Sequence, residues 1–201
     1  MNKATKKILI GISVVILAYG FYRFIYDGTK PIKSTFNGKE YQVAPGQDTQ
    51  LKANLLAVLH MKLQKIVDSL RTNQDPHCRR LVSNWDKGVT IKEVGNMESD
   101  AAYVINKKHM SICLKDFKKN TTPESINLLT YVGIHELAHI MSHEIGHEAE
   151  FKNNFKFLLE HSKKISFSDP FTGQNGQLYI SLKDLNTPGN YCGVSVINSM
   201  N

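Results

Sequence analysis

Residues 135–151 read HELAHIMSHEIGHEAEF, and four of the chain's eight histidines fall within this stretch. Its first five residues form an HExxH pattern. On an α-helix, residues i and i+4 lie on one face about one turn apart, so His135 and His139 are predicted to point at a common zinc ion. Glu136 lies about 100° further round the helix. There it can accept a proton from a zinc-bound water without being a ligand itself.

The third ligand must come from beyond this helix, because catalytic zinc sites normally have three protein ligands at about 2.0–2.1 Å. His143 would lie about 12 Å along a straight helix from His135 and cannot reach the same ion. Gly146 is the residue type that commonly follows a helix end, and His147 comes directly after it. We therefore predict one zinc ion bound by His135, His139 and His147. His143 is predicted to face solvent or to support a ligand by a hydrogen bond.

The segment before the motif predicts a buried helix. Thr122 suits the N-cap, Pro123 the first helical position, and Glu124 complements the helix dipole. Apolar residues then occupy most sides of the helix: Ile126, Leu128, Leu129, Val132 and Ile134. A buried helix must give the polar groups of the HExxH motif partners, and a metal ion supplies them.

The rest of the pattern predicts an α+β domain over residues 51–201. Apolar residues at helical spacing predict helices over residues 51–72, over 77–87, and from the residues after Gly146-His147 to about Ser162. Between residues 88 and 117, short alternating segments predict a small antiparallel sheet packed on the HExxH helix. An edge strand of that sheet can hold an extended peptide by strand addition.

Positive charge is concentrated at the N-terminus. Of the 25 basic and 18 acidic residues, six basic and one acidic lie in residues 1–33. The remainder therefore carries only +2 of the total net charge of +7. This distribution gives little support to a nucleic-acid-binding surface, and we expect a protein or peptide substrate. The sequence gives no indication of the oligomeric state.

The N-terminal residues predict a membrane anchor. Residues 8–22 carry no charge, and extension to Tyr26 gives 19 residues, close to the ~20 that cross a bilayer. The predicted organisation is a basic tail (1–7), a transmembrane helix (8–26), a turn-rich linker (27–50) and the domain (51–201), which makes a single-pass membrane protein. The alternative is a signal peptide cleaved near residue 20, which would give a secreted protein.

Three cysteines, Cys78, Cys113 and Cys192, form no CxxC pair and are interpreted as buried, inert thiols. One disulfide plus one free thiol is the alternative. Asn120 begins a glycosylation sequon, which is usable only in a secretory lumen.

The stretch HELAHIMS followed by IGHEAEF resembles the WLM and SprT-like zincin metallopeptidases, in which HExxH precedes a third histidine in a Gly-His-x-x-x-Phe context. The matching residues are His135, Glu136, His139, His147 and Phe151. Within that group the chain is most similar to small membrane-anchored WLM-like proteins of giant DNA viruses. That similarity rests on the hydrophobic N-terminus, the Leu-rich helix, and the segments Ile112–Asp116 and Tyr191–Gly193. It covers most of residues 51–194 and is specific at 135–151.

The resemblance implies a zincin-like fold of the minimal gluzincin or SprT-like type and a zinc-dependent endopeptidase. His135, His139 and His147 would bind zinc and Glu136 would be the general base, at a host endomembrane or virion membrane. Two alternatives stay open. One is a catalytically silent zinc-binding structural or interaction protein. The other is a protease of DNA-crosslinked proteins, to which these families are linked, although the chain has no compact basic patch.

Related zincins suggest other ligand schemes. A metzincin requires a histidine six residues after the second histidine of the motif, and position 145 is Ile. A gluzincin takes a glutamate from the next helix, which makes Glu160 the second choice for the third ligand. An oxyanion-stabilising group is also expected, and Tyr179 and Tyr191 are the candidates.

Overall fold

The computed structural model describes residues 28–95, 101–117, 121–183 and 190–196, together with residues 5, 12, 13, 15 and 16. From residue 28 onward the described chain combines four helices with short strands, so the α+β part of the predicted fold is confirmed. The helices are α1 (Thr49–Ser69), α2 (Pro76–Asp86), α3 (Pro123–Met141) and α4 (Ala149–Ser162). The strands are β1 (Lys30–Lys33), β2 (Glu40–Val43), β3 (Thr90–Glu93), β4 (Ala102–Ile105), β5 (His109–Ile112), β6 (Ser166–Ser168), β7 (Asn175–Gln177), β8 (Asn190–Tyr191) and β9 (Val194–Ser195).

Helix α3, which carries the HExxH motif, is the central element and packs against α1, α2, α4 and β4. Its start is fixed as predicted: the Thr122 hydroxyl accepts the N–H of Ser125, and the Ser125 hydroxyl accepts the N–H of Thr122, which completes a capping box. Helix α1 approaches α3 closely at Gly133. A Cβ atom at this position would lie 2.4 Å from Cδ1 of Leu59, so a larger residue would displace that leucine.

A three-stranded sheet lies beside α3 in the order β3-β5-β4. The predicted hairpin of β4 and β5 is confirmed, and its turn uses the left-handed conformations of Asn106 (φ 53°) and Lys107 (φ 55°). The prediction of a purely antiparallel sheet is wrong, because β3 pairs with β5 in parallel. Strand β5 reverses direction after β4 and is inserted between β4 and β3, so it runs the same way as β3. The central position of β5 explains why Met110, Ser111 and Ile112 are all buried.

The prediction of a transmembrane helix over residues 8–26 is wrong, and so is the single-pass membrane location inferred from it. Among the described residues, no helix is both long enough and apolar enough to cross a membrane. Residues 8–11, 14 and 17–26 of the predicted span lie outside the described residues.

Residues 27–50, which the sequence indicated as a linker, contain the antiparallel pair β1 and β2. The expected strand at Glu40–Val43 is present, and Tyr41 and Val43 are buried in the same core as α1. Ser34 and Thr35, which follow β1, bond to the amide of Asn54 on α1. This segment is therefore part of the packed unit.

The interpretation of all three cysteines as thiols is wrong for two of them. Cys113, at the end of the central sheet, forms a disulfide with Cys192, whereas Cys78 is free and buried. The bridge joins positions 79 residues apart and holds the β8–β9 segment against the end of β5. The Tyr191 hydroxyl donates a hydrogen bond to the Cys113 carbonyl, which reinforces the same junction. Sequence spacing alone does not reveal that these two distant segments meet.

Candidate metal centre

Three histidine side chains converge where α3 meets the loop that follows it. His135 and His139 project from α3, and His147 lies in the connection to α4. One ring nitrogen of each lies within 4.8 Å of the others, and the Nε2 atoms of His135 and His147 are 3.0 Å apart. Nitrogens that bind one tetrahedral zinc ion are separated by roughly 3.3 Å, given the usual zinc–nitrogen bond length. Within the described ranges, no other group of three or more histidine, cysteine or acidic side chains is gathered in this way.

The protonation state of this cluster suits a metal ion. Burial lowers the pKa of His135 to about 3, and the neighbouring His139 and His147 contribute to the shift. Burial likewise lowers the pKa of His139 to about 4, with contributions from His147 and Lys107. Both imidazoles are therefore neutral at neutral pH and keep a lone pair for coordination. Three imidazoles are a known catalytic zinc donor set, so the residues present fit the ion.

Phe151, on the first turn of α4, packs against all three imidazoles. Its ring is stacked on His139 at a centroid distance of 4.3 Å, and it lies 4.7 Å from His147 and 4.8 Å from His135. The ring of Phe155, one turn later on α4, packs against His135 with a centroid distance of 5.1 Å. These contacts restrict the imidazole rotamers, which prepares the three nitrogens for one ion.

Helix α3 ends at Met141, and the prediction that Gly146 ends it is wrong. Ser142 takes an extended conformation with ψ 149°, and its hydroxyl donates to the Ala138 carbonyl at 2.8 Å. Gly146 has a different role in the loop. Its φ of +98° is in the left-handed region that favours glycine, and it directly precedes the residue that returns to the α3 histidines.

An ion pair between α2 and α4 holds this loop in place. Oε2 of Glu150 accepts the backbone N–H groups of His143 and Glu144 at 2.9 and 3.2 Å. Its Oε1 accepts a hydrogen bond from Nη1 of Arg80 at 2.7 Å. The same guanidinium nitrogen donates a hydrogen bond to the Met141 carbonyl at 3.1 Å. Arg80 and Glu150 therefore connect the end of α3, the loop and α4. We name this arrangement the Arg80–Glu150 clamp.

The clamp leads to a prediction about metal affinity. Glu150→Ala should weaken zinc binding by roughly tenfold, the lower range for groups that orient ligands without touching the metal, because the loop that carries His147 loses its anchor. Zinc affinity should be measured by competition with a chromogenic chelator. Glu148→Ala is the matched control, since Glu148 is exposed in the same loop and its side chain makes no capping hydrogen bond. Equal zinc affinities of Glu150→Ala and the wild type would contradict this role.

Glu136 is buried, with 3% of its surface exposed. Among the described residues its Oε2 atom has no hydrogen-bond partner. Burial raises the pKa of this carboxyl to about 8. A buried polar atom without a partner costs stability, and strongly shifted carboxyls concentrate at functional sites. Its burial, its raised pKa and its unpartnered oxygen make Glu136 a candidate functional residue.

The other sequence candidates are not members of the histidine cluster. His143 is exposed in the loop, as predicted for a non-ligand. Glu160, the second choice for the third ligand, is exposed and pairs with Lys163 at 2.7 Å. Both tyrosines are buried. The Tyr191 hydroxyl is bonded to a backbone carbonyl, whereas Tyr179 lines a cleft together with His135 and His147. Of the two tyrosines, Tyr179 is thus the one that lies beside the histidine cluster.

That cleft has a volume of about 630 Å³ and runs along α4 from the histidines. Its opposite wall is formed by residues 179–183, which α1 and α3 hold in position. Asn127 donates to the Ile180 carbonyl at 2.7 Å and accepts the Ile180 N–H at 2.9 Å. The buried Nζ of Lys62 donates to the Leu178 carbonyl at 3.0 Å and to Oγ1 of Thr130 at 3.1 Å. Burial lowers the pKa of this lysine to about 8. The wall is therefore anchored to the same helix that carries the metal ligands.

Sequence reasoning missed the residues that support the site. Arg80, Glu150, Asn127 and Lys62 act through contacts between segments far apart in the chain; Arg80 and Glu150, for example, are separated by 70 residues. Their only local signal is that Lys62 lies at an apolar position of α1, where a charged residue is unusual.

Comparisons with known proteins give viral relatives. No protein-family model matches the chain, and no solved structure matches it. Protein R325 of Acanthamoeba polyphaga mimivirus is 26% identical over 200 residues, which cover 94% of this chain and 95% of that protein. Protein 136R of invertebrate iridescent virus 6 is 27% identical over 169 residues, or 79% of this chain and 90% of that protein. Protein 042R of invertebrate iridescent virus 3 is 31% identical over 74 residues, or 37% of this chain and 46% of that protein. All three bear the name "uncharacterized protein", so the chain is similar to virus-encoded proteins whose names state no activity.

Proposed function

We propose that the chain is a zinc-dependent endopeptidase of the WLM and SprT-like type. The observation that carries this proposal is the convergence of His135, His139 and His147 beside a buried glutamate that lacks a hydrogen-bond partner on one carboxyl oxygen. Zinc enzymes combine three protein ligands with a nearby general base in this way. The three histidines would hold the ion, and the protein or peptide substrate would enter from the adjoining cleft.

When bound, zinc would polarise the scissile carbonyl and lower the pKa of water in the site. The chain's own residues have separate tasks. Burial alone favours the protonated carboxyl, but a cation held by the three histidines would favour its ionised form. Glu136 would then accept the proton of the attacking water on its free Oε2 atom and deliver it to the leaving amine. Phe151 and Phe155 pack against the imidazoles and hold their ring orientations.

The position of an outer sheet strand beside α3 supports this function over a purely structural zinc site. Strand β4 is the outer strand of the three-stranded sheet and packs on α3. A peptide added to that edge would lie along the helix that carries Glu136. The cleft, which reaches His135 and His147, would take the side chains on one side of the scissile bond.

The direct test is metal analysis of the full chain combined with a proteolysis assay. We expect one zinc ion for each chain, cleavage of casein, and loss of cleavage in the presence of a chelator that is restored by added zinc. Zinc without any cleavage would favour the silent structural protein. Absence of zinc would leave the 3.0 Å contact of His135 with His147 as a hydrogen bond between neutral imidazoles and would overturn the proposal.

A further inference from the structure

The cleft beside the histidines combines an apolar floor with a basic rim. Its floor is formed by Phe151, Phe155, Leu159, Tyr179 and Leu182. Four lysines stand around it: Lys152, Lys156 and Lys163 on or just after α4, and Lys183 on the opposite wall. A binding site of this construction takes an apolar group into its depth and a charged group at its entrance.

The positive charge at the rim is largely uncompensated. Glu160 is the one carboxylate among the cleft residues, and Lys163 already pairs with it at 2.7 Å. Lys152, Lys156 and Lys183 are exposed and form no ion pair with another residue in the described parts of the chain. Clefts lined by one sign of charge raise the local concentration of ligands of the opposite sign.

We infer that this cleft selects peptide substrates in which an acidic residue neighbours an apolar residue beside the scissile bond. The inference rests on the proposed function, since it assigns a substrate class to the same site. The apolar side chain would pack on Phe155 and Leu159, and the carboxylate would meet Lys156 and Lys183 at the rim. Because these lysines are exposed, their contribution should be modest for each charge and sensitive to salt.

A peptide fits these observations better than a nucleic acid. The cleft residues include no arginine, the residue that forms bidentate contacts with phosphate. Beyond residues 1–33 the chain is nearly balanced in charge, with 19 basic and 17 acidic residues, whereas a nucleic-acid site needs an extended basic surface. The apolar floor also matches a side chain more closely than a sugar–phosphate backbone.

The test measures binding before it measures cleavage. Fluorescent peptides that share one apolar residue and differ only in a neighbouring Glu, Gln or Lys are titrated with metal-free full chain, and anisotropy gives Kd. We expect the Glu peptide to bind about fivefold to twentyfold more tightly than the Gln peptide, as two exposed charge pairs allow, and this advantage should shrink in high salt. Cleavage of the same peptides by zinc-loaded protein should follow the same order in kcat/KM.

Charge reversal at the rim tests whether its lysines cause the preference for the Glu peptide. The double variant Lys156→Glu, Lys183→Glu should lose the preference for the Glu peptide and favour the Lys peptide. Lys65→Glu is the matched control, because Lys65 is exposed on α1 and does not line the cleft. Circular dichroism should show that all three proteins are folded. Unchanged preference in the double variant would overturn the inference.

The outcomes separate this inference from the proposed function. Casein cleavage without any preference among the peptides would refute the acidic-substrate assignment and leave the endopeptidase intact. Selective binding of the Glu peptide without cleavage of any substrate would support the cleft assignment and contradict the endopeptidase. Displacement of the bound peptide by a single-stranded oligonucleotide at lower concentration than by unlabelled peptide would identify the rim as a nucleic-acid site and overturn the inference.

Discussion

Replacing Glu136 with Gln is expected to lower kcat by about 10²–10⁴-fold, the range that general acid–base catalysis contributes, while zinc remains bound. The glutamine amide would keep the shape of the side chain but could not accept a proton. None of the three imidazoles would lose its position, because their contacts are with one another and with Phe151 and Phe155. The measurements are peptide hydrolysis under saturating substrate and zinc content by atomic emission. Glu144→Gln, a change at an exposed position in the loop after α3, is the control and should keep normal activity.

The same substitution has a consequence for stability that does not depend on zinc. Burial raises the pKa of Glu136 to about 8, above its ordinary value of 4.5. A carboxyl whose folded-state pKa is raised stabilises the fold below its unfolded-state pKa and loses that contribution as the pH rises through the folded-state pKa. In metal-free protein, the free energy of unfolding of Glu136→Gln relative to the wild type should therefore increase between pH 4.5 and about pH 8. Full hydrolytic activity in Glu136→Gln would show that this carboxyl is not the base. A stability difference that does not change with pH would show that its pKa is not raised by burial.

The predictions that hold are those that depend on neighbouring residues. The start of α3 follows from Thr122, Pro123 and Ser125, which lie within one helical turn of one another. The proximity of His135 and His139 follows from their four-residue spacing. To bring His147 back to these two histidines, the chain must also reverse direction between Ser142 and Glu148. Gly146, whose φ is +98°, is the local sequence feature that indicates this reversal.

The features that the sequence does not reveal depend on contacts between distant segments. The end of α3 at Met141 is set by Ser142 and by Arg80 from α2, so the glycine five residues later was a misleading signal. Pairing of β3 with β5 in parallel depends on how the β4–β5 hairpin is placed against α3, which strand periodicity does not specify. The disulfide required two segments 79 residues apart to meet, and an odd number of cysteines gave no indication of the pair.

The identity of the third ligand gives the other large expected effect. His147→Ala should abolish stoichiometric zinc binding, with a loss of affinity greater than the roughly 10–100-fold that follows removal of groups outside the coordination sphere. The remaining pair, His135 and His139, would then hold the ion without the third protein ligand that catalytic zinc sites normally have. Hydrolysis should be lost together with the metal. Zinc affinity is again measured by chelator competition, and circular dichroism checks that α3 and α4 are intact.

Two matched variants decide between His147 and its competitors. Glu160→Ala should keep zinc, because Glu160 is exposed, pairs with Lys163 at 2.7 Å and stands outside the group formed by the three imidazoles. His143→Ala should also keep zinc, because His143 is exposed and its backbone N–H, which the substitution leaves in place, is the group bonded to Glu150. If Glu160→Ala lost zinc while His147→Ala retained it, α4 rather than the loop after α3 would complete the site. In that case the ring nitrogens gathered within 4.8 Å would have to separate on metal binding, so this comparison tests the geometry of the site as well as its chemistry.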